Sequence, residues 1–364
     1  MSPVVSPSDE TRARSVAAAC ARRLSGHGGT TLPEQVELLR QEAALGGTGD
    51  TYGAGGVVTE VEEAVRDLFA AEAAVLLPTG TMAQQVALRL HAQARGLTGV
   101  GLAPDSHLLL WEEDAVSALT GLEPVVDPTS PDGLAAQVVE LPRRETGGHL
   151  LGWDDLVELS FRCADTGVAL HLDGARLWQC GPAYAPHSLG EVAALADTTY
   201  LSLYKDLGGI AGAMLLVPYD WQEAVRTWRH RMGGTLPALW PLALSARRGL
   251  REYLPRMPLY VAAAAALAAT GLEVVTPPVT AMLHVVLPGE PQRLADALVE
   301  VAEESGTWLA GGVRPGPRAG TGTVEVSCGE ATLQVDPADA ADLLGRAGDR
   351  ASDRASDRAS DRAR

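Results

Sequence analysis

Two stretches, VALHLDGARLW (168–178) and YLSLYKDLGGIAGAMLLV (200–217), decide the fold class of this chain. In each, a short apolar run leads to a charged residue, Asp173 or Lys205, and glycine follows, which is typical of a buried strand entering a turn. Asp173 and Lys205 are 32 positions apart, enough for a crossover helix between neighbouring parallel strands. Because ligands of open α/β sheets bind beyond the carboxyl ends of the strands, both residues are expected at one crevice.

Outward from these stretches, apolar runs alternate with helical patterns. The spacing of Val58, Val61 and Val65 predicts one helix, and a second helical pattern covers 81–93. Strands are predicted at 73–78, 107–111, 124–127, 138–142, 168–173, 200–204 and 213–217. Strands that are apolar on both faces and separated by helices predict an α/β fold with a mainly parallel sheet covered on both sides.

The pattern changes near residue 257, and this change sets the predicted domain boundaries. Beyond it the sequence predicts a small α+β domain with an Ala-rich helix, strands near 273–275 and 282–287, a helix over 291–304 and a strand at 323–328. The predicted organisation is an N-terminal arm (1–56), a large domain (57–257), a small C-terminal domain (258–346) and a tail (347–364). The tail repeats Asp-Arg-Ala-Ser without an evident apolar face, so disorder is expected, with a short helix laced by Asp/Arg pairs as the alternative.

The composition excludes several classes of protein. With 46% hydrophobic and 21% charged residues, the 364-residue chain has ordinary globular proportions. A formal charge of −17 repels phosphate backbones, so nucleic acid is not expected as a partner. The four cysteines form no C-x-x-C pair, which argues against a zinc site and a disulfide scaffold, and no metal is expected. Because no apolar run reaches membrane-spanning length and no signal pattern begins the chain, we expect a cytoplasmic protein without a membrane partner.

Lysine is nearly absent from the chain. Lys and Arg total 29, and Lys205 is the only lysine, which leaves 28 arginines. Arginine stays protonated in proteins, whereas a desolvated lysine can lose its proton and attack a carbonyl carbon. Lys205 is therefore a candidate for a Schiff base, with chance survival of one surface lysine as the alternative.

Three further clusters lie near predicted strand ends. Pro78-Thr79-Gly80-Thr81 stands between a strand and a helix, where free N–H groups and hydroxyls favour a phosphate. His107 is placed to pack on a ring and to exchange protons, while Asp173 can keep a ring nitrogen protonated and Arg176 suits a carboxylate. Each has an ordinary alternative, which is a helix cap, a strand-end histidine or a turn aspartate with a surface arginine. Together they predict a site for pyridoxal 5′-phosphate (PLP).

The motifs occur in the order of a known family. The string YG…EVEEAVRDLF…EAAVLLPTGTMAQQ…SHLLLWE…HLDGARLW…SLYKDLGGIAGAMLL, over roughly residues 50–240, resembles the threonine aldolase and aromatic amino acid β-eliminating lyase family of fold-type-I PLP enzymes. The resemblance implies the aspartate aminotransferase fold, with a large mainly parallel-sheet domain and a small C-terminal α+β domain. It also implies a homodimer or homotetramer with active sites shared between subunits.

The resemblance also assigns roles to individual residues. The implied cofactor contacts are Thr79, Gly80, Thr81, His107, Asp173, Arg176 and Lys205. Three of these are the implied catalytic residues, since Lys205 forms the Schiff base, Asp173 pairs with the ring nitrogen and His107 stacks on the ring. Arg176 is implied to bind the substrate carboxylate, with Ser25 and Tyr52 as further substrate contacts, and Tyr52 is expected to serve a neighbouring subunit's site.

The chain departs from the family pattern where substrate is bound. Ala54-Gly55-Gly56 replaces an acidic residue and Asp-Pro, the segment 25–29 replaces Arg-Ser-Asp-Thr, and Thr235-Leu236-Pro237 replaces Gly-Met-Arg-Gln. TVEVSC (323–328) lacks the arginine that family members use as a second carboxylate anchor. Loss of such a bidentate partner costs on the order of a few kcal/mol of binding. The candidates to replace it are Arg229, Arg231 and Arg318.

The predicted activity is that of a PLP-dependent carbon–carbon lyase. It would cleave a small amino acid, a β-hydroxy-α-amino acid, to glycine and an aldehyde. β-Elimination or transamination of another amino acid is the alternative that keeps the cofactor. A non-catalytic protein with the PLP-enzyme fold is the third possibility.

Overall fold

A computed structural model describes residues 4–29, 31–309 and 311–362, with side chains as far as Asp353. Within these residues the α-helices are α1 (Glu10–Ala19), α2 (Leu32–Ala44), α3 (Gly56–Leu68), α4 (Gly80–Arg95), α5 (His107–Leu110), α6 (Ala115–Ala118), α7 (Trp153–Asp165), α8 (Gly181–Tyr184), α9 (Leu189–Ala193), α10 (Gln222–Arg231), α11 (Trp240–Glu252), α12 (Met257–Ala268), α13 (Pro291–Ser305) and α14 (Pro337–Arg362). The strands are β1 (Arg22–Arg23), β2 (Ala73–Leu77), β3 (Gly99–Leu102), β4 (Glu123–Val126), β5 (Ala136–Glu140), β6 (Ala169–Gly174), β7 (Thr198–Ser202), β8 (Ala213–Val217), β9 (Met282–Pro288), β10 (Thr307–Trp308), β11 (Val313–Pro315) and β12 (Thr321–Ser327). None of the helices in this described part is both long and apolar enough to cross a membrane.

The chain forms two compact units, and their boundaries differ from the predicted domains. The large unit comprises Thr31–Glu145 and Leu150–Arg256, and the small unit comprises Met1–Thr30, Thr146–His149 and Met257–Arg364. Much of the predicted arm therefore belongs to the large unit. In this part of the arm the buried Glu42 of α2 pairs with Arg247 at 2.8 Å and with Arg251 at 2.6 Å, both on α11 of the large unit.

The large unit is built on a seven-stranded sheet in the order β2-β8-β7-β6-β5-β3-β4. Strands β3 to β7 pair in parallel, whereas β8 runs antiparallel to both β2 and β7. Every residue of β6 and β7 is buried, and because both faces of these strands are covered they show no regular alternation of apolar and polar residues. The predicted α/β architecture with a mainly parallel sheet is confirmed.

The run predicted as a strand at 107–111 is wrong. His107–Leu110 form the short helix α5, in which only Leu108 is buried, so the run lacks the two-sided burial of a central strand. The strand in this part of the sheet is β3, whose two glycines weakened its apolar pattern. A Cβ at Gly101 would lie 2.3 Å from Oε1 of Gln137 on the neighbouring strand β5, so a larger residue there would force the Gln137 side chain to move.

Helix α4 begins directly after β2 and is fixed at both ends by its sequence. Thr79 is the N-cap, and its hydroxyl oxygen accepts a hydrogen bond from the Met82 N–H at 3.2 Å. Gly96 ends the helix in the left-handed conformation, with φ of 67°. The helix packs on β2 and β8 through Val86, Ala87 and Leu90, so its N-terminal turn is held rigidly at the end of β2.

The small unit contains a three-stranded antiparallel sheet in the order β11-β12-β9 and a short parallel pair, β1 and β10. Strands β9 and β12 confirm the predictions at 282–287 and 323–328. The strand predicted near 273–275 is reduced to one bridge between Val274 and Val285. Helix α1 packs on α13 through small apolar side chains, Ala13, Val16, Val299 and Ala302.

Helix α14 extends into the tail that was predicted to be disordered. Residues 347–362 are helical, which corresponds to the alternative drawn from the sequence. Ala347 and Ala351 are buried, and Arg350 pairs with Glu304 at 2.8 Å and with Glu300 at 3.4 Å. For residues 347–353 the prediction of disorder is wrong, because alanines four positions apart form a narrow apolar stripe and Arg350 reaches α13; residues 363–364 of the predicted tail lie outside the described residues.

Candidate active site

The carboxyl ends of β5, β6 and β7 bring several polar residues together in the large unit. Asp173 on β6 is paired in register with Glu140 on β5 and with Tyr200 on β7. Lys205 follows the end of β7 by three residues, and Arg176 follows Asp173 by three. Asp173, Lys205 and Arg176 therefore lie at or just beyond the ends of neighbouring strands, and their roles in a site stay predictions.

Asp173 is a buried carboxylate with directed hydrogen bonds. The side-chain amide of Gln84, on α4, donates to its Oδ2, and the Ala175 N–H donates to its Oδ1 at 3.1 Å. Burial raises the pKa of Asp173 above its ordinary value, although the positive charges of Lys205 and Arg176 oppose the shift. A cationic donor in the crevice would therefore stabilise the charged form of this carboxylate.

Lys205 is a partly buried amine beside another cation. Its Nζ lies 5.9 Å from the centre of the Tyr204 ring. Burial, followed by repulsion from the Arg176 guanidinium, lowers the pKa of Lys205 to about 8. A measurable fraction of the side chain is then a neutral amine near pH 7, which is the form that reacts with a carbonyl group.

His107 is held at the crevice as the first residue of α5. Its backbone N–H donates to Oε2 of Glu140 at 3.2 Å. Burial lowers the pKa of His107 to about 4, with repulsion from Lys205, Arg144 and Arg176 in the same direction. The imidazole is therefore neutral at pH 7 and able to accept a proton at one ring nitrogen.

The Thr79-Gly80-Thr81 turn forms the start of α4. Gly80 touches the ring of Tyr200 so closely that a Cβ would lie 2.1 Å from the phenol oxygen. Thr81 is hydrogen-bonded to Glu112, and burial raises the pKa of Glu112 to about 7. The N-terminal N–H groups of α4 lack partners inside the helix and carry its positive dipole end, which suits an anion.

Tyr52 lies in the large unit but outside these contacts. Its backbone is in the left-handed region, with φ of 53°, and 57% of the residue is exposed. The turn around it is anchored by Asp50, which accepts N–H bonds from Gly53 at 2.7 Å, Leu239 at 2.9 Å and Trp240 at 2.8 Å. Ser25 belongs to the small unit, so its role in substrate binding stays a prediction.

The three arginines considered as replacement carboxylate anchors are engaged elsewhere. Arg229 is buried and donates to the Leu76 carbonyl at 2.8 Å, and burial lowers its pKa. Arg231 is exposed and lies over the Trp228 ring at 4.9 Å. Arg318, in the small unit, forms a bidentate pair with Glu273 at 2.6 and 2.7 Å. Arg176, three residues after Asp173, stays the arginine that the family resemblance predicts for the substrate carboxylate.

Four residues near the crevice were not identified from the sequence as site residues. They are Gln84, Glu140, Tyr200 and Asp206. Glu140 is the last residue of β5, whereas the predicted strand continued to residue 142, so the strand-end rule used for Asp173 would have found it only with the correct strand bounds. Gln84 lies one helical turn after Gly80, and this spacing was a usable signal. Burial raises the pKa of Asp206 to about 6, and Gln179 donates to it at 3.0 Å.

The chain is similar to known proteins in sequence and in structure. The family described as Beta-eliminating lyase matches residues 33–140 and 135–287. A low-specificity L-threonine aldolase of Arabidopsis thaliana is 24% identical to this chain over 230 residues. The match covers 57% of this chain and 64% of that protein, which is less than two thirds of the relative's length. A solved structure from Listeria monocytogenes EGD-E, provisionally assigned as an L-allo-threonine aldolase, has a TM-score of 0.84 and 31% identity over 93% of this chain and 98% of that one. A serine palmitoyltransferase solved with its PLP internal aldimine shares the fold alone, with 19% identity and a TM-score of 0.64 over 92% of this chain and 87% of that one.

Proposed function

This chain belongs to the beta-eliminating lyase family of PLP-dependent enzymes, and from that premise we propose that it is a threonine-aldolase-like lyase. Its substrate in this proposal is a β-hydroxy-α-amino acid, which it cleaves between Cα and Cβ to glycine and an aldehyde. The observation that carries the proposal is the placement of Asp173 on β6 and of Lys205 just beyond the neighbouring strand β7, with Arg176 three residues after Asp173; burial and the Arg176 charge also lower the pKa of Lys205 to about 8. The relative and the solved structure named for threonine or allo-threonine aldolase support carbon–carbon cleavage.

The side chains at the crevice suit PLP. The buried carboxylate of Asp173 has a raised pKa, and a protonated ring nitrogen would add to the positive charges of Lys205 and Arg176 that already favour its ionised form. The start of α4 offers N–H groups to a phosphate, with Thr79, Gly80 and Thr81 as its contacts. Lys205 would hold the aldehyde carbon of the cofactor, and His107 would pack on its ring.

When bound, PLP supplies a conjugated ring that accepts the electron pair released as the Cα–Cβ bond breaks. The Arg176 guanidinium holds the substrate carboxylate and so fixes the orientation of the bonds at Cα. His107, neutral because its pKa is about 4, or a water bound to it, accepts the proton of the β-hydroxyl group as the aldehyde forms. Lys205 Nζ, with a pKa of about 8, can deliver a proton to Cα of the glycine product near neutral pH.

The experiment is an aldehyde assay on the purified chain loaded with PLP. Threonine and allo-threonine, each in the L and D forms, are supplied, and acetaldehyde is followed by its reduction with NADH and alcohol dehydrogenase. Equal yields of aldehyde and glycine, lost in Lys205→Arg, support the proposal. Absence of aldehyde from any β-hydroxy amino acid, in a protein that binds PLP, contradicts it. Pyruvate and ammonia from serine or cysteine would indicate β-elimination instead.

We also propose that the chain acts as a homodimer or homotetramer with shared sites. The support is family membership together with the outward position of Tyr52, which is 57% exposed in the single chain. Light scattering after size-exclusion chromatography measures the mass. A monomer with full aldolase activity would contradict this part of the proposal.

A further inference from the structure

A row of buried polar side chains runs from Asp173 through the large unit. The Gln84 amide nitrogen donates to Asp173, and the Gln84 oxygen lies 2.6 Å from Nε2 of His171. The other ring nitrogen of His171 lies 2.7 Å from the Thr198 hydroxyl oxygen, which lies 2.8 Å from Nε2 of His91. Gln84, His171, Thr198 and His91 are each at most 3% exposed, so water does not compete for these bonds.

If Asp173 is ionised, the groups of this row have one consistent set of hydrogen-bond directions. An ionised carboxylate only accepts, so Gln84 turns its NH₂ toward Asp173 and its oxygen toward His171. That oxygen needs a donor, which places the His171 proton on Nε2 and leaves Nδ1 to accept from the Thr198 hydroxyl. The Thr198 oxygen then accepts from Nε2–H of His91. All four hydrogen bonds point toward Asp173.

We propose that Gln84, His171 and Thr198 are positioning residues that keep the Asp173 carboxylate ionised and oriented toward the crevice. The proposal rests on the proposed function, in which Asp173 faces the ring nitrogen of PLP. Hydrogen bonds aligned in one direction polarise one another, so the donor that reaches Asp173 is strengthened by those behind it. Burial lowers the pKa of His171 to about 3 and that of His91 to about 4, so the row adds polarity without adding a net charge.

The direction of these hydrogen bonds determines which ring nitrogen of His171 carries the proton. With Asp173 ionised, His171 carries its proton on Nε2. With Asp173 protonated and donating to the Gln84 oxygen, the Gln84 amide would turn over and His171 would carry its proton on Nδ1. The tautomer of a histidine that does not touch the cofactor therefore reports the charge of Asp173.

The first test reads that tautomer by long-range ¹H–¹⁵N correlation spectra of the full chain, labelled with ¹⁵N-histidine, with and without PLP. The His171 signal is assigned by its loss in His171→Gln. We expect a single neutral tautomer with the proton on Nε2. A proton on Nδ1, or averaging between the two nitrogens, overturns the proposal.

The second test compares three variants of β7. Thr198→Val removes the hydroxyl at nearly constant shape, Thr198→Ser keeps it, and Thr199→Val is the matched control, because Thr199 is equally buried and its side chain points to the opposite face of the sheet. We expect Thr198→Val to weaken PLP binding about tenfold and the other two to change it less than about twofold. Binding is measured by equilibrium dialysis, and circular dichroism verifies that each variant is folded.

The two tests separate this proposal from the proposed function. Equal PLP affinity of Thr198→Val and Thr199→Val, both folded, overturns the positioning role even if the enzyme is an aldolase. If the chain binds no PLP, the proposed function fails, and the tautomer of His171 still decides the direction of the row. If Thr198→Val does not fold, the positioning role is tested by the PLP affinity of Thr198→Ser and by the His171 tautomer in spectra of the unmodified chain.

Discussion

Reductive fixation of PLP on this chain should follow the ionisation of one amine, that of Lys205. The neutral amine attacks the cofactor aldehyde, water leaves, and borohydride reduces the resulting imine to a stable secondary amine. As the chain has a single lysine, the N-terminal amine is its only competitor for this chemistry. The rate of fixation at a given pH therefore measures how much Lys205 is deprotonated.

The magnitude follows from the lowered pKa. With a pKa of about 8 rather than the ordinary 10.5, roughly 9% of Lys205 is neutral at pH 7 instead of roughly 0.03%, a gain of about 300-fold. Because the folded pKa is depressed, the rate should rise with pH and level off above about 8. Arg176→Met removes the charge that repels the ammonium group, so its rate should level off at a higher pH.

The assay mixes apoprotein and PLP briefly between pH 6 and 9.5, adds borohydride, and measures labelled protein by intact mass and peptide mapping. Lys205→Arg is the control, since it keeps the positive charge and removes the nucleophile. A rate that still rises about tenfold per pH unit up to pH 9.5, as expected for the ordinary pKa of 10.5, would refute the reasoning about this lysine, and so would an equal label in Lys205→Arg away from the N terminus.

Three further perturbations test other parts of the site. Glu112→Gln removes a carboxyl whose pKa in the folded chain is raised to about 7, and ionisation of that carboxyl destabilises the unmodified chain as the pH rises. The unfolding free energy of the variant, relative to that of the unmodified chain, should therefore increase by about 2 kcal/mol between pH 5.5 and 8.5. Urea unfolding at both pH values measures this difference, and a difference that does not depend on pH would contradict it. Gly80→Ala forces a Cβ against Tyr200 and should cost about 1–3 kcal/mol of unfolding free energy, and an equal loss in the Tyr200→Phe background would show that the phenol oxygen is not the obstacle. Asp50→Ala orphans three N–H groups and should cost about 2–4 kcal/mol, whereas a change below about 0.5 kcal/mol in the thermal or urea midpoint would exclude that anchoring role.

Much of the fold was predictable because strands buried on both faces of a sheet produce short apolar runs in the sequence. The runs VALHLD (168–173) and YLSLY (200–204) indicated strands, and the structure has β6 ending next to Asp173 and β7 ending three residues before Lys205. The antiparallel direction of β8 was not predictable, since a buried strand has the same apolar pattern in either direction. The short helix at His107 was missed because four residues are too few to display a helical period.

The charged residues of the candidate site were predictable from the sequence, whereas the residues that hydrogen-bond to them were not. Lys205 and Arg176 stand out by type and position, whereas Gln84 is an ordinary polar residue whose contact with Asp173 spans 89 positions of sequence. Arg229 shows the opposite error, because its chemistry suited a carboxylate anchor while the fold places it against backbone carbonyls. Long-range pairing of this kind depends on packing that no local pattern encodes.

The turn that carries Tyr52 has a consequence for binding entropy. Asp50 and Arg229 hold its backbone in a conformation that a tyrosine rarely adopts, yet leave the ring largely exposed. The loss of conformational freedom in this turn occurs when the chain folds, before any other molecule arrives. A molecule that contacts the ring therefore meets a preorganised surface, and little of its association free energy is spent on ordering the backbone there.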